Sequence, residues 1–121
     1  MNAVPSFAGN GYGSNVVRTS RDAEYEAFSR VTRMLRQAAQ DEHGPDLIAA
    51  AHKNNQLWTI LAADLAGSDN GLPDALRAQL LSLASFSLRH GHLAMAGKAK
   101  VDPLIDINMA MMRGLRQEIA A

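Results

Sequence analysis

From Ser20 onward the apolar positions recur at intervals of three and four, and they do so in four separate stretches. That spacing is the signature of amphipathic helices. In the first stretch Tyr25, Phe28, Val31, Thr32, Leu35 and Ala39 share one face, and Arg30, Arg33, Arg36 and Gln37 share the other. Ser20 reads as its N-cap, with Asp22 and Glu24 in the first turn, where negative charge suits the helix dipole. This helix runs to about Gln40, ahead of a break at Gly44-Pro45. On the second helix Leu47, Ala50, Ala51, Leu57, Trp58, Leu61 and Leu65 align, and Gly67-Ser68-Asp69-Asn70-Gly71 closes it with turn formers. Pro73-Asp74 opens a third, whose apolar face is Leu76, Leu80, Leu83, Ala84, Leu88 and Met95, with Gly91 and Gly97 weakening its end. Asp102-Pro103 opens a fourth, with Leu104, Ile105, Asn108, Met112, Leu115 and Ile119 on one face.

No segment alternates with period two for long enough to make a strand, and the connections are short, so successive helices pack side by side and antiparallel. The expected fold is all-α: a single-domain bundle of four main helices over residues 20–121, preceded by a flexible N-terminal arm over residues 1–19. Trp58, Leu61, Leu76, Leu80 and Leu83 lie mid-face and are expected in the core. Asn54 and Asn108 also fall on apolar faces, so their amides must find partners inside the bundle.

Two helices carry more apolar surface than one interface needs. On the fourth, a second sector of Ile107, Met111 and Gly114 flanks the main one, leaving only Asp106, Arg113 and Gln117 as a polar strip. Such a helix is either wrapped on all sides or held ready for a partner. On the third, Phe86 and Leu93 sit away from the main face, as Ile60 does on the second. Met109, Met111 and Met112 suit a surface that repacks around related ligands, because the thioether chain is adaptable. Phe86 and Leu93, with Ile105, Met109, Met111 and Met112, are therefore the candidate partner-binding set.

The remaining chemistry narrows the function by subtraction. Twelve Lys+Arg balance twelve Asp+Glu, so the basic surplus typical of nucleic-acid binders is missing. The arginines at 18, 21, 30, 33 and 36 are the one local exception, and acidic neighbours dilute them. There is no cysteine, hence no disulfide or thiolate site. His90 and His92 stand two apart, a spacing that does not share a helix face, so no metal is expected. Serines 82, 85 and 87 lack a nucleophile elbow, and Gly9, Gly11 and Gly13 lack the surroundings of a phosphate loop. No catalytic set and no cofactor are expected. Neither a secretory leader nor an apolar run of about 18 residues appears, so the expected location is the cytoplasm, without membrane insertion.

One stretch carries a resemblance. Asn54-Asn55-Gln56-Leu57-Trp58-Thr59-Ile60-Leu61-Ala62-Ala63-Asp64-Leu65-Ala66, followed by Asn70-Gly71-Leu72-Pro73-Asp74-Ala75-Leu76-Arg77-Ala78-Gln79-Leu80, closely resembles the FlaF family of alphaproteobacterial flagellar biosynthesis proteins. Tyr12-Gly13, Arg21-Asp22-Ala23-Glu24, Leu104-Ile105-Asp106-Ile107-Asn108 and Met112-Arg113-Gly114-Leu115 are similar to its terminal parts. One departure is Ser20, where the family pattern has a proline before the arginine that opens the first helix. The resemblance implies a protein that binds flagellin in the cytoplasm as a secretion chaperone and helps set flagellin synthesis. The regulator FlbT and the flagellar export apparatus are the further partners it implies. The competing expectation is an RNA-associated regulator acting through the arginine face of the first helix.

Overall fold

The computed structural model describes residues 14–40 and 44–120, with side chains over 22–40 and 44–115. Four helices account for nearly all of it: α1 (Ser14–Ala38), α2 (Pro45–Ala66), α3 (Asp74–Met95) and α4 (Asp102–Ala120). There is no strand among the described residues. Three of the four helices start at the expected place. The exception is α1, which opens at Ser14, so Ser20 lies inside the helix and does not cap it. The expected arm is in part this helix, and residues 1–13 lie outside the described residues.

The joints follow local chemistry. Gly44 takes an extended conformation ahead of Pro45, whose ring presets the first helical angle. At the α2–α3 turn the Asn70 side chain accepts from the Leu72 amide at 3.1 Å, and Arg77 donates to the Gly67 carbonyl at 3.3 Å. Gly97, at φ 75°, ends α3: its amide reaches the Ala94 carbonyl at 3.0 Å and the Lys98 amide reaches that of Leu93 at 2.8 Å. This paired closure needs a left-handed residue, and glycine adopts that backbone without a Cβ clash.

The helices run up and down, and their contacts are uneven. The most extensive packing is α2 on α3 and α1 on α4, followed by α1 on α2, while α3 and α4 meet only sparingly. Two apolar clusters fill the interior. One, toward the 39–44 and 96–101 loops, contains Val31, Leu35, Leu47, Ala51, Ala94 and Leu104. The other joins Phe28, Trp58, Ala84, Met112 and Leu115.

The core of α3 departs from expectation. Its buried residues are Ala84, Ser87, Gly91 and Ala94, not the leucines. Leu80, Leu83 and Leu88 are half-buried on its flanks, and Leu76 is exposed. Leu61 of α2, also expected in the core, is half-buried too, while Trp58 is fully enclosed. The reason is close approach. A Cβ at Gly91 would stand 2.7 Å from Asn55 Cγ and 3.0 Å from its Nδ2, so the Asn55 side chain of α2 lies directly over Gly91 and leaves no room for a side chain there. The expected weakening at Gly91 is thus a packing requirement, and Asn55, whose Nδ2 donates to the Leu88 carbonyl at 3.3 Å, holds the other side.

This seam makes a testable prediction. Gly91→Ala gains about 1 kcal/mol in helix propensity but overpacks the seam at a cost of about 1–3 kcal/mol, so the net change is expected to be a loss. Asn55→Ala in the same chain should recover most of that loss in a urea denaturation series. A Gly91→Ala protein more stable than its parent would contradict the close approach.

Candidate helix-docking surface

Because α3 buries its small residues against α2, its larger apolar side chains are left elsewhere. Phe86 is 41% exposed and Leu93 45% exposed. They stand seven residues apart, on the same side of the helix, with His90 between them. The Phe86 and His90 rings stack at 5.6 Å and 24°, and His90 Nε2 lies 2.7 Å from the Lys100 carbonyl at the approach to α4. That bond marks the Phe86–His90 flank of α3 as the one bordering α4.

The α4 wall is identified in the same way. Leu104, Asn108, Met112 and Leu115 form its buried face. On one flank Met109 approaches α1, its sulfur accepting from the Arg36 guanidinium at 3.5 Å. The opposite flank of the helix carries Ile107, Met111 and Gly114, and it borders the sparse α3–α4 edge. Ile107 and Met111 are half-buried against the central cluster, and Ala110 and Gly114 are exposed. So α4 is not wrapped on all sides.

The candidate residues fall into three groups. Phe86 and Leu93 are exposed on α3, and Met111 is half-buried against the central cluster on the flank of α4 opposite Met109. Ile105, half-buried against the loop-end cluster, and Met109 pack elsewhere, the latter toward α1. Met112 is 9% exposed inside the central cluster and has no surface to offer a partner in the folded monomer. A helical wheel of α4 alone cannot sort its four members, because Ile105, Met109, Met111 and Met112 all lie on its wide apolar arc. Leu83 and Ile107, half-buried against the central cluster, and the exposed Leu76 are outside the candidate set. The signal for two of them is in the sequence: Leu76, Leu83 and His90 recur every seven residues, as do Gln79, Phe86 and Leu93.

The interior polar groups are structural. Trp58 Nε1 donates to Asn108 Oδ1 at 2.9 Å, Asn108 Nδ2 donates to Asn54 Oδ1 at 2.7 Å, and Asn54 Nδ2 reaches Ser87 Oγ at 3.5 Å. The expected internal partners of Asn54 and Asn108 are each other, with the indole and a serine at the ends. Among the described residues, Thr32 Oγ1 and Asn55 Oδ1 are buried polar atoms without a hydrogen-bond partner. No three His, Asp or Glu side chains converge among those residues. A cleft of about 420 Å³ at the loop end is lined by Gln40, Leu47, Lys98 and Lys100 among others.

The family model described as flagellar protein FlaF matches residues 12–115, a span that takes in most of all four helices. The chain belongs to the FlaF family. The matched span holds the Trp58–Asn108–Asn54 chain, the α2–α3 seam and the exposed Phe86–Leu93 stripe, so the candidate surface of this FlaF member lies wholly inside its family region. No curated protein and no solved structure matches the chain. FlaF proteins are flagellar proteins, and no helix among the described residues of this one is long and apolar enough to cross a membrane.

Proposed function

We propose that this FlaF protein binds flagellin as a secretion chaperone and helps set flagellin synthesis together with FlbT, delivering its cargo toward the flagellar export apparatus. The observation that carries the reading is the exposed Phe86–Leu93 stripe beside a sparsely packed helix edge. A subunit that polymerises through amphipathic helices must have those helices shielded before export. An unfilled edge between two helices can shield one by taking it into the bundle, with apolar anchors at helical spacing.

The test is a double substitution, Phe86→Ser with Leu93→Ser. Both side chains are already exposed, so the variant is expected to keep its helical circular dichroism and denaturation midpoint to within about 0.5 kcal/mol. It should lose flagellin in a pull-down. A folded variant that captures flagellin as the parent does would refute the surface. RNA association is the weaker second reading. It is favoured by Arg30, Arg33 and Arg36, all exposed on α1. Phosphate contacts weaken steeply with salt while apolar helix packing does not, so capture at two salt concentrations separates the readings.

A further inference from the structure

The α2–α3 turn carries a pair of residues with a chemistry of their own. Asn70 is followed by Gly71, and Asn10-Gly11, outside the described residues, is the other asparagine–glycine step in the chain. The side-chain amide of an asparagine is a carbonyl electrophile, and the backbone nitrogen of the next residue can close a five-membered ring onto it. A side chain on that next residue crowds the approach, so glycine favours it. Gly71 is exposed, and a Cβ built there would meet nothing within 4 Å. Among the described residues its amide donates no hydrogen bond, so none has to break before it reacts.

The fold also holds the electrophile. The Leu72 amide donates to Asn70 Oδ1 at 3.1 Å, which closes the side chain over the Gly71 peptide and polarises the Cγ carbonyl. Negative charge that builds on Oδ1 during attack finds that donor already in place, as it would in an oxyanion hole. On its other side Asn70 Nδ2 donates to Asp64 Oδ2 at 3.2 Å, which ties the turn to the last turn of α2.

We propose that Asn70 is a modification site at which the folded protein converts its own asparagine to aspartate and isoaspartate, with water as the co-reactant. The Gly71 amide gives its proton to hydroxide, and its nitrogen bonds to Asn70 Cγ. The Cγ–Nδ2 bond breaks, and Nδ2 takes up a proton from water and leaves as ammonia. Water then opens the cyclic imide. Addition at Cγ gives aspartate on the normal backbone, and addition at the backbone carbonyl of residue 70 gives isoaspartate, with the chain routed through Cγ. Nothing is oxidised or reduced. Either product removes the Nδ2 donor and adds a carboxylate. The aspartate still accepts from the Leu72 amide, but it faces Asp64 with no hydrogen to give, so an attractive contact becomes a repulsion between like charges. The conversion therefore loosens the α2–α3 turn on its α2 side.

The test holds the intact protein in mildly alkaline buffer, below its unfolding temperature, beside a synthetic peptide of residues 66–76. Both are then mapped by peptide mass and chromatography. The expected result is the mass rise of NH becoming O at Asn70, split into an aspartate and an isoaspartate peak, over the period in which the peptide converts. Asn54, Asn55 and Asn108 are buried and not followed by glycine, and they should stay intact. Gly71→Ala places its Cβ in open space, so it should fold as the parent does and convert on the order of tenfold more slowly, because the added group disturbs the attack geometry. An Asn70 that stays intact in the folded protein while the peptide converts, a mass rise confined to Asn10, or an equal rate in Gly71→Ala would overturn the proposal. The effect on the turn is read separately. Asn70→Asp should lower the urea midpoint, and Asp64→Asn in the same chain should restore it, since an amide at 64 can donate to the new carboxylate. A midpoint unchanged by Asn70→Asp, or a loss that Asp64→Asn does not relieve, would overturn the loosening.

Discussion

Trp58→Ala is expected to lower the unfolding free energy by roughly 3–5 kcal/mol. The ring has no exposure, and it stands edge-on to Phe28 with centroids 5.6 Å apart at 75°. Its removal leaves a cavity in the central cluster and takes the donor from Asn108 Oδ1, which accepts the indole N–H at 2.9 Å. Trp58→Phe separates these two losses. It keeps an aromatic ring but leaves the Asn108 oxygen unpaired, and the expected cost is smaller, about 1–3 kcal/mol. Urea denaturation of the three proteins checks both figures, and an alanine variant with the parent's midpoint would contradict the enclosed ring.

The other large effect comes from a substitution that makes the core more apolar. Asn108→Leu keeps the branching and approximate size of the side chain, yet it is expected to cost on the order of 2–5 kcal/mol. The reason is the direction of the hydrogen-bond chain. An indole N–H can only donate, so it sets the oxygen of Asn108 toward Trp58 and its nitrogen toward Asn54. That in turn sets the Asn54 nitrogen toward Ser87. Leucine at 108 breaks the chain at its middle and leaves both the indole donor and the Asn54 oxygen unpaired in a closed core. Adding Trp58→Phe removes one of those orphans, so the double variant should be less damaged than the sum of the singles by about 1 kcal/mol or more. Strict additivity in the cycle would mean that the two side chains do not act as one unit.

The sequence was informative wherever a single helix decides the outcome. Pro45, Pro73 and Asp102-Pro103 set helix starts through their own backbone restrictions, and the structure begins α2, α3 and α4 there. The start of α1 was misread because Ser20 with Asp22 and Glu24 forms a good local cap signal, which the continuing helix from Ser14 overrides. The candidate surface was half legible. Phe86 and Leu93 stood out as surplus on α3, and they are exposed. The α4 members could not be sorted by surplus, because a helix that is apolar around most of its circumference does not say which flank meets which neighbour.

By itself, then, the sequence determined four amphipathic helices, their joints, an all-helical fold, and the Trp58–Thr59 and Asn70–Pro73 surroundings that mark the family. These depend on residues close together in the chain, where periodicity and backbone restriction act directly. The tertiary structure alone decided that α3 turns Ala84, Ser87, Gly91 and Ala94 inward and leaves Leu76 outside, that Met112 is core while Met111 borders an edge, and that two asparagines and a tryptophan share one hydrogen-bond chain. The physical reason is distance between helices. Hydrophobicity ranks the leucines of α3 above its alanines and glycine, but the face buried in the bundle is Ala84, Ser87, Gly91 and Ala94, and at Gly91 the Asn55 side chain of α2 leaves no room for a Cβ, so the leucines lie on the flanks. That separation belongs to a pair of helices, and neither helix's own sequence of apolar and polar positions contains it.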